Sequence, residues 1–304
     1  MERYQYLPEG WGGPACRTRH TARQLELAQQ TGTVLYGRAV LCDQDLNLQV
    51  DLGCGRGIIP REETALGIAE GTTREIAVLS RVGKTVSFHV LGQENGIWQL
   101  SRRSAQTAAL QHSLSHLRPG DVIPVRSTHL EPFGVFVDVG CGIISMIGIE
   151  HLTVSRIPHP AERVHANQDL YAVVRAIQPD RIILSHKELL GTWEENARSI
   201  RAGTAVRGII RSVEPYGVFV ELAPNLSGLA EPCAGAKPGM MASVYVKSVL
   251  PDRMKIKLSM LDLLPGEGRR LICDSDYLVR EGRLVRWQYQ PDRCIRHCVE
   301  TVFA

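Results

Sequence analysis

The chain has 304 residues, of which 44% are hydrophobic, 22% charged and 6% aromatic, and its formal net charge is +3. Its length predicts more than one domain, and no apolar stretch is long enough to cross a bilayer, which excludes an integral membrane protein. The charged N-terminal thirty residues do not resemble a secretory signal, and eight scattered cysteines fit a reducing cytosol. These features predict a cytoplasmic protein and leave its function open.

The first predicted element is a helix over residues 18–30, where good helix formers end just before Gly32. After this helix the chain repeats one unit three times, and such repeats decide the architecture. The first copy is the most divergent. Its landmarks are TGTVLYGRAV at 31–40, VDLGCG at 50–55 and WQLSRR at 98–103.

The second and third copies match closely. EPFGVFVDVG at 131–140 and EPYGVFVELA at 214–223 are offset by 83 residues. Two further pairs of segments correspond: LRPGDVI at 117–123 with IRAGTAV at 200–206, and IILSHKE at 182–188 with IKLSMLD at 256–262. The last pair is closer together by nine residues, so the third copy is the shorter one.

Each copy predicts short strands. Val135, Val137 and Val139 alternate with Phe136 and Asp138, which is the period of two of a half-buried strand. Some five such strands in about 70 residues, without a long helix, predict a closed barrel. We therefore predict a mainly β fold of tandem five-stranded OB-fold barrels with short linking helices at their edges.

The predicted division of the chain follows the repeats. The run HKELLGTWEENARSI at 186–200 predicts a helix between copies two and three, and the tail predicts a short helix and then a strand carrying Trp287 and Tyr289, mainly for core packing. The expected segments are an N-terminal helical extension at 1–30, a degenerate barrel at 31–105, a barrel at 117–187, a helical linker at 188–200, a barrel at 201–262 and a C-terminal extension at 263–304.

Two aromatic residues occupy outward strand positions. If the valines face the core, Phe136 in copy two and Phe219 in copy three face away from it, and each has an outward acidic residue two positions later. Phe133 or Tyr216 precedes each by three residues. Matched pairs of outward rings predict a platform on which bases of single-stranded nucleic acid stack, with Arg and Lys nearby to follow the phosphates. The alternative is burial of these rings against the adjoining barrel or linker.

GDVIPVRSTHLEPFGVFVDVG and GTAVRGIIRSVEPYGVFVELAPNLSGLAEP resemble the S1 RNA-binding domain. Residues 25–262 as a whole resemble the short, three-module S1-like proteins of clostridial-type bacteria. The resemblance implies five-stranded barrels that bind single-stranded RNA, with mRNA and the small ribosomal subunit as expected partners. By position, the implied RNA-binding residues are Phe133, Phe136, Asp180 and Arg181 in copy two, and Tyr216, Phe219, Asp252 and Lys255 in copy three.

One family feature does not carry over. Gly148 and Glu231 stand where the family has a histidine, and His151, three residues after the first of them, is the expected substitute. Residues 201–263 hold eight Lys+Arg against five Asp+Glu, which predicts modest RNA affinity concentrated in copy three. Further basic residues expected at the RNA are Arg126, Arg207, Arg211 and Lys247.

Copy one departs from the pattern. Leu46 and Gln49 stand in place of the aromatic pair and Pro60 in place of the histidine, so we expect a structural or protein-contacting module. The alternative for the whole chain is a protein-interaction scaffold whose exposed aromatics anchor an interface.

No Walker A, HExxH or GxSxG motif is present, and the pair Cys294 and Cys298 has too few partners for zinc. We therefore expect no catalysis, cofactor, metal, membrane or small-molecule substrate.

Overall fold

The computed structural model describes residues 6–13, 18–178, 181–269, 271–294 and 299–303. The protein is mainly β, with 41% strand and 19% helix. Among the described residues, the strands form three closed barrels of five strands each and a two-stranded sheet in the tail. The predicted fold class is confirmed.

The strands follow the three sequence copies in order. Copy one contains β1 (Leu35–Cys42), β2 (Leu48–Asp51), β3 (Arg56–Ile59), β4 (Thr85–Glu94) and β5 (Ile97–Ser101). Copy two contains β6 (Val122–Glu131), β7 (Gly134–Asp138), β8 (Ile144–Gly148), β9 (Asp169–Ile177) and β10 (Ile182–Ser185). Copy three contains β11 (Ala205–Glu214), β12 (Gly217–Ala223), β13 (Leu226–Ala230), β14 (Met240–Leu250) and β15 (Lys255–Glu267), and the tail contains β16 (Arg286–Gln288) and β17 (Glu300–Val302).

All three barrels share one topology. The strand order around each is first, second, third, fifth and fourth, closing again on the first. The third and fifth strands pair in parallel in every copy, as β3 with β5, β8 with β10 and β13 with β15. This order leaves no free sheet edge, because closure pairs the first strand with the fourth.

A close backbone approach supports the repeat in the divergent copy. A Cβ atom on Gly37 of β1 would lie 2.5 Å from Cγ1 of Val50 on the neighbouring strand. The same atom on Gly208 of β11 would lie 2.4 Å from Cγ1 of Val220. Only glycine leaves room for the valine at this crossing. Copies one and three therefore pack their first two strands in the same way.

The structure contains a long helix that the sequence analysis did not predict. The helices are α1 (Ala22–Thr31), α2 (Ile76–Leu79), α3 (Arg102–His116), α4 (Ile149–Leu152) and α5 (Trp193–Ala197). No helix is predicted from the sequence over residues 102–116, where α3 runs for 15 residues directly after β5. Its buried face includes Arg102 and Gln106, so it lacks the apolar stripe that announces a helix in a sequence.

The predicted linker helix is also interrupted. Residues 187–190 form one 3₁₀ turn, and α5 begins only after Gly191. Gly191 has a φ of 83°, a left-handed conformation that ends the turn. Thr192 then caps α5 through a reciprocal capping box with Glu195. The linker is thus two short turns with a bend.

The described chain divides into two compact units. Unit one comprises Met1–Leu117, Pro124–Arg126 and Val137–Ser145. Unit two comprises Arg118–Ile123, Ser127–Phe136 and Met146–Ala304. No helix of the described residues is long and apolar enough to span a membrane.

Unit one contains a buried polar cluster beside the apolar core of copy one. The carboxylate of Glu9 accepts two hydrogen bonds from the Arg102 guanidinium, at 2.7 and 3.0 Å, and another from the Ser87 hydroxyl at 2.9 Å. Asp138 accepts the backbone N–H of Glu9 at 2.7 Å. Burial, and then the charge of Glu9, raise the pKa of Asp138 to about 7. Asp138 faces away from its barrel as predicted, but at 3% exposure it does not face solvent.

In unit two, a buried asparagine joins copies two and three. The side-chain oxygen of Asn225 accepts the backbone N–H of Val154 at 2.9 Å. Its amide nitrogen donates to the backbone oxygens of Lys187, at 2.8 Å, and Gly191, at 3.1 Å. Since a buried amide is costly without partners, these bonds fix the loop after β12 against copy two.

The tail packs on both of these copies. The backbone oxygen of Tyr289 accepts the backbone N–H of Trp193 at 2.9 Å, and the Tyr289 hydroxyl donates to the backbone oxygen of Asn225. Trp287 and Tyr289 are both buried, so the core role predicted for them is confirmed. The short helix expected before the strand is not formed over residues 277–285, and the nearest helical turn is the 3₁₀ turn Asp274–Asp276; β16 supplies the expected strand.

The side chain of His186 links copy two to the tail and predicts a pH effect on stability. The ring is fully buried, with Nδ1 2.9 Å from the Leu152 carbonyl and Nε2 2.9 Å from the Tyr277 hydroxyl. Burial lowers its pKa to about 4. An unfolded histidine takes up its proton near pH 6.5, so between these values the unfolded state binds more protons. Stability should therefore fall as the pH drops from about 6.5 to 4, by on the order of 3 kcal/mol.

Urea unfolding from pH 4 to 7 measures this contribution. A His186→Gln variant should lose that part of the pH slope, whatever its overall stability. His165→Gln, at an exposed position of the same unit, serves as the control and should keep the wild-type slope. Equal slopes in wild type and His186→Gln would show that the buried histidine is not the group responsible.

Candidate nucleic-acid interface

The aromatic pairs of copies two and three have the same geometry. The ring centroids of Phe133 and Phe136 are 6.1 Å apart with an interplanar angle of 83°. Those of Tyr216 and Phe219 are 6.3 Å apart at 90°. Both are edge-to-face pairs, the arrangement that the ring quadrupole favours. The matching EPFGVFV and EPYGVFV segments therefore build one site twice.

A glycine in each hairpin makes this geometry possible. A Cβ on Gly134 would lie 2.5 Å from the backbone oxygen of Ile147, and one on Gly217 would lie 2.4 Å from that of Ala230. The third strand thus approaches the hairpin too closely for any side chain. The two rings of each pair flank this point.

The outer ring of each pair is open to solvent. Phe133 is 55% exposed and Tyr216 is 66% exposed, while Phe136 and Phe219 are half-buried beside them. The alternative that these pairs are buried against a neighbouring barrel or the linker is wrong for the outer rings. One face of each aromatic pair is available to a ligand.

In copy three the strand register extends the face beyond the aromatics. Phe219 pairs with Ser212 of β11 on one side and with Leu229 of β13 on the other, and Leu229 pairs with Lys257 of β15. Paired residues on adjacent strands project to the same side of a sheet. Lys257 was not among the predicted residues, although its alternation with Ile256 and Leu258 gave the signal.

Copy two has a more apolar face. Met146 of β8, the counterpart of Leu229, pairs with Ile183 of β10, which replaces the lysine. The exposed ring of His129 lies 6.3 Å from that of Phe136, tilted by 31°. The two faces thus share the aromatic pair and differ in the residues around it.

A basic cluster lies at the end of β8 in copy two. His151 contacts the Arg175 guanidinium through its Nε2 atom, and Lys187 donates to the backbone oxygen of Glu150 at 3.2 Å. Burial, and then the charges of Arg175 and Lys187, lower the pKa of His151 to about 4. The ring is therefore neutral near pH 7 and accepts a hydrogen bond from Arg175. Sequence reasoning named His151 but missed Arg175 and Lys187.

The corresponding place in copy three holds an ion pair of opposite charges. Lys247 occupies the strand position of Arg175, as the register of the last two strands shows. Its ammonium group pairs with Glu231, at the position where the family has histidine. The hydrogen bond from Lys247 lowers the pKa of the Glu231 carboxyl. Much of the charge of Lys247 is therefore balanced within the protein.

The remaining predicted residues of the two copies are mostly on the surface. Arg207, Asp252 and Lys255 are exposed in copy three, and Arg181 is exposed in copy two. Asp180 lies outside the described residues. In copy one, Gln49 pairs with Leu41 and Ile58 at the place that Phe219 takes in copy three, so no ring stands at that position.

Two predicted arginines lie away from the aromatic faces. Arg126 is half-buried beside the N-terminal segment. Its Nε atom lies 3.5 Å from the position that a Cβ atom on Gly10 would occupy. Arg211 has a side chain only 7% exposed, and it pairs with Glu162, at 2.9 Å, and with Glu221. Its placement inside an ion-pair network does not match the exposed phosphate contact expected from the sequence.

Glu221 is the centre of that network. Arg163 of copy two pairs with one carboxylate oxygen and Arg211 of copy three with the other, and the side chains of Arg163 and Glu221 are fully buried. The sequence predicted the outward direction of Glu221 but not its burial. Glu221 projects outward from its own barrel and is covered by copy two.

The burial of Arg211 predicts an effect on stability that an exposed arginine cannot have. Arg211→Ala would remove the arginine partner of Glu162 and leave the buried Glu221 with Arg163 alone, so it should lower the free energy of unfolding by about 3 kcal/mol. Arg207→Ala, at an exposed position four residues earlier on β11, should change it by less than about 0.5 kcal/mol. Urea unfolding measures both. Equal stability of the two variants would contradict a buried network around Glu221.

Comparison with known proteins identifies this kind of module. Residues 116–187 match the model of the S1 RNA binding domain family. This stretch, which contains all of copy two, is therefore similar to the S1 family. The chain is also homologous to small ribosomal subunit protein bS1 of Staphylococcus aureus (strain COL), at 28% identity over 75% of this chain and 61% of that protein.

Related proteins of other bacteria show the same degree of similarity. The small ribosomal subunit protein bS1 homolog of Bacillus subtilis is 30% identical over 71% of this chain and 60% of its own length. The chain thus spans about three fifths of the length of these curated relatives. A solved multidomain protein with nucleic acid binding domains from Streptococcus pneumoniae covers 76% of this chain and 73% of its own at 17% identity, but its TM-score of 0.25 bears on neither fold nor function.

The described residues contain no group of three or more His, Cys, Asp or Glu side chains placed to hold a metal ion. Cys294 is buried, and Cys298 lies outside the described residues.

Proposed function

We propose that this protein binds single-stranded RNA through the aromatic faces of copies two and three. The observation that carries the proposal is the repeated edge-to-face pair, Phe133 with Phe136 and Tyr216 with Phe219, whose outer rings are exposed. A base that stacks on such rings contributes about 1 to 3 kcal/mol. Duplex RNA hides its bases and offers mainly phosphates and 2′-hydroxyls, so single strands fit these faces better.

Basic residues beside the faces supply the phosphate contacts in this proposal. In copy three these are Lys255 and Lys257, which project from β15 on the same side as Phe219. In copy two the residues are Arg175 and Lys187 at the end of the face. The family resemblance also implies RNA contacts for Asp180, Arg181 and Asp252, and the proposal includes these three residues.

The partner and the place of action follow from the relatives. Those proteins are named as components of the small ribosomal subunit. We infer that this chain associates with the small subunit and with mRNA in the cytoplasm. Catalysis, a cofactor and a membrane form no part of the proposal.

Copy one has a different role in this proposal. Its Gln49 offers no stacking surface where the other copies have phenylalanine. We infer that the segment 31–105 is a structural or protein-contacting module, and that 117–187 and 201–262 are the RNA-binding modules.

A matched set of variants tests the stacking face. Phe136→Ala with Phe219→Ala should weaken binding of a short unstructured RNA by roughly tenfold or more, since each truncation removes a stacking surface. Gln49→Ala, at the equivalent position of copy one, should leave affinity unchanged. Fluorescence anisotropy with single-stranded RNA, duplex RNA and single-stranded DNA, over a salt series, measures these affinities.

The salt series separates RNA binding from the scaffold alternative. Phosphate contacts make log K fall linearly with log salt, by about 0.7 per phosphate for a single strand. A flat salt dependence together with full affinity of the phenylalanine variant would reject the proposal in favour of a protein-interaction scaffold. Co-sedimentation of the full chain with small ribosomal subunits tests the inferred partner.

A further inference from the structure

Unit two contains a cleft that belongs to neither aromatic pair. Its volume is about 450 Å³, within the range of small-ligand sites. Copy two contributes residues 156–158 and 162 to its walls, and copy three contributes residues 210–212 and 238–239, together with residues 268–269 directly after β15. The cleft therefore exists only because copies two and three are fixed against each other.

The walls carry an excess of positive charge. Three arginines line the cleft, namely Arg156, Arg211 and Arg269, against one acidic residue, Glu162. Arg156 and Arg269 are exposed, and no acidic side chain of the described residues pairs with either. The charge of Arg211 is shared with Glu162 and Glu221, so the two outer arginines set the sign of the site.

The inner wall has an unused hydrogen-bond donor. Arg211 bonds Glu221 through Nε and Glu162 through Nη1, yet its Nη2 atom is buried without a partner among the described residues. The side chain is 7% exposed, so bulk water does not satisfy this nitrogen. A buried donor without an acceptor is unfavourable, and an anion in the cleft would satisfy it once the guanidinium turns Nη2 toward the cleft.

The position of the cleft connects it to the RNA face of copy three. Ser212 lines the cleft and pairs directly with Phe219 across β11 and β12. A strand of RNA whose base stacks on Phe219 would therefore pass close to the cleft. Guanidinium groups suit such a neighbour, because their planar forks bind phosphate oxygens in pairs.

We propose that this cleft binds the phosphate group of a nucleotide, held between Arg156 and Arg269 at the rim and Arg211 at the inner wall. The phosphate belongs either to the RNA chain that crosses copy three, in which case the inference rests on the proposed function, or to a free nucleotide. Both sources present anionic phosphate oxygens, on a diester with one negative charge in RNA and on a monoester with up to two in a free nucleotide. The apolar residues Ile157 and Pro158 complete the wall beside them.

The rim arginines are the residues to change, because Arg211 also supports the fold. Arg156→Ala with Arg269→Ala in the full chain should weaken binding of a short unstructured RNA by about fivefold to tenfold. The slope of log K against log salt should become shallower by about 0.7 for each phosphate that the variant no longer neutralises. Arg198→Ala with Arg201→Ala, two exposed arginines outside the cleft, removes the same charge and should change affinity by less than about twofold.

A second probe identifies the source of the phosphate. Calorimetric titration with AMP should show binding to the wild type that the rim variant loses. If the rim variant loses AMP binding but keeps its RNA affinity, the cleft binds a free nucleotide. If the rim variant binds RNA more weakly and with a shallower salt slope, the cleft binds the RNA backbone. A rim variant that matches the control with both probes overturns the inference.

The phenylalanine variant and the rim variant test the aromatic faces and the cleft separately. If Phe136→Ala with Phe219→Ala weakens RNA binding while the rim variant does not change either probe, stacking stands and the cleft is not a phosphate site. If the phenylalanine variant binds RNA normally, the proposed function fails, and the AMP titration still decides the cleft on its own.

Discussion

Glu221 is a fully buried carboxylate held between two guanidinium groups, Arg163 from copy two and Arg211 from copy three. Burying these charges is unfavourable unless they are paired, and the loss of either arginine would leave the carboxylate with a single guanidinium partner. The network therefore tolerates only one arrangement of the two copies. Glu221 lies two residues after Phe219 on β12, so the strand that anchors copy three to copy two also carries its stacking ring.

This anchor has consequences for binding by both copies. Asn225 and Tyr289 add buried hydrogen bonds to the same contact, so the two barrels are not beads on a flexible linker. Flexible modules gain from one another only through an effective concentration that linker length limits. When two modules are held in a fixed arrangement, binding of the second one costs no further conformational entropy of the linker. Weak single faces can thus act together, and the cleft between them becomes part of the same surface.

The sequence was sufficient for the barrel and for the aromatic pairs. Alternating valines and the matching EPxGVFV segments predict which strand positions point into a barrel and which point out. They do not predict which outward positions another segment covers. Arg163 and Glu221 meet across 58 residues of chain, and no local pattern links them. For this reason the sequence predicted an outward Glu221 and an RNA contact for Arg211, but not the burial of either side chain. Lys257 was not predicted, although its alternation with Ile256 and Leu258 was visible.

The helix α3 escaped prediction for a related reason. It begins directly after β5, where Ser101 serves as its N-cap, without a glycine or proline to mark the change. Its face toward the core uses Arg102, whose guanidinium is paired with Glu9, in place of an apolar side chain. Because this buried contact is an ion pair, it adds nothing to the hydrophobic periodicity by which a helix is predicted from a sequence.

The acidic residue on the second strand shows how one repeat acquires different roles. Asp51, Asp138 and Glu221 occupy equivalent positions in the three copies, two residues after Gln49, Phe136 and Phe219. Asp51 is exposed and accepts a hydrogen bond from the nearby Gly53 N–H, at 2.9 Å. Asp138 and Glu221 are buried, the first on the backbone of Glu9 and the second on Arg163. In copies two and three, the second strand therefore carries both an outward ring of the proposed RNA face and an outward acid that binds another part of the protein. Copy one keeps the acid at the surface and has no ring, which is consistent with a barrel that does not take part in stacking.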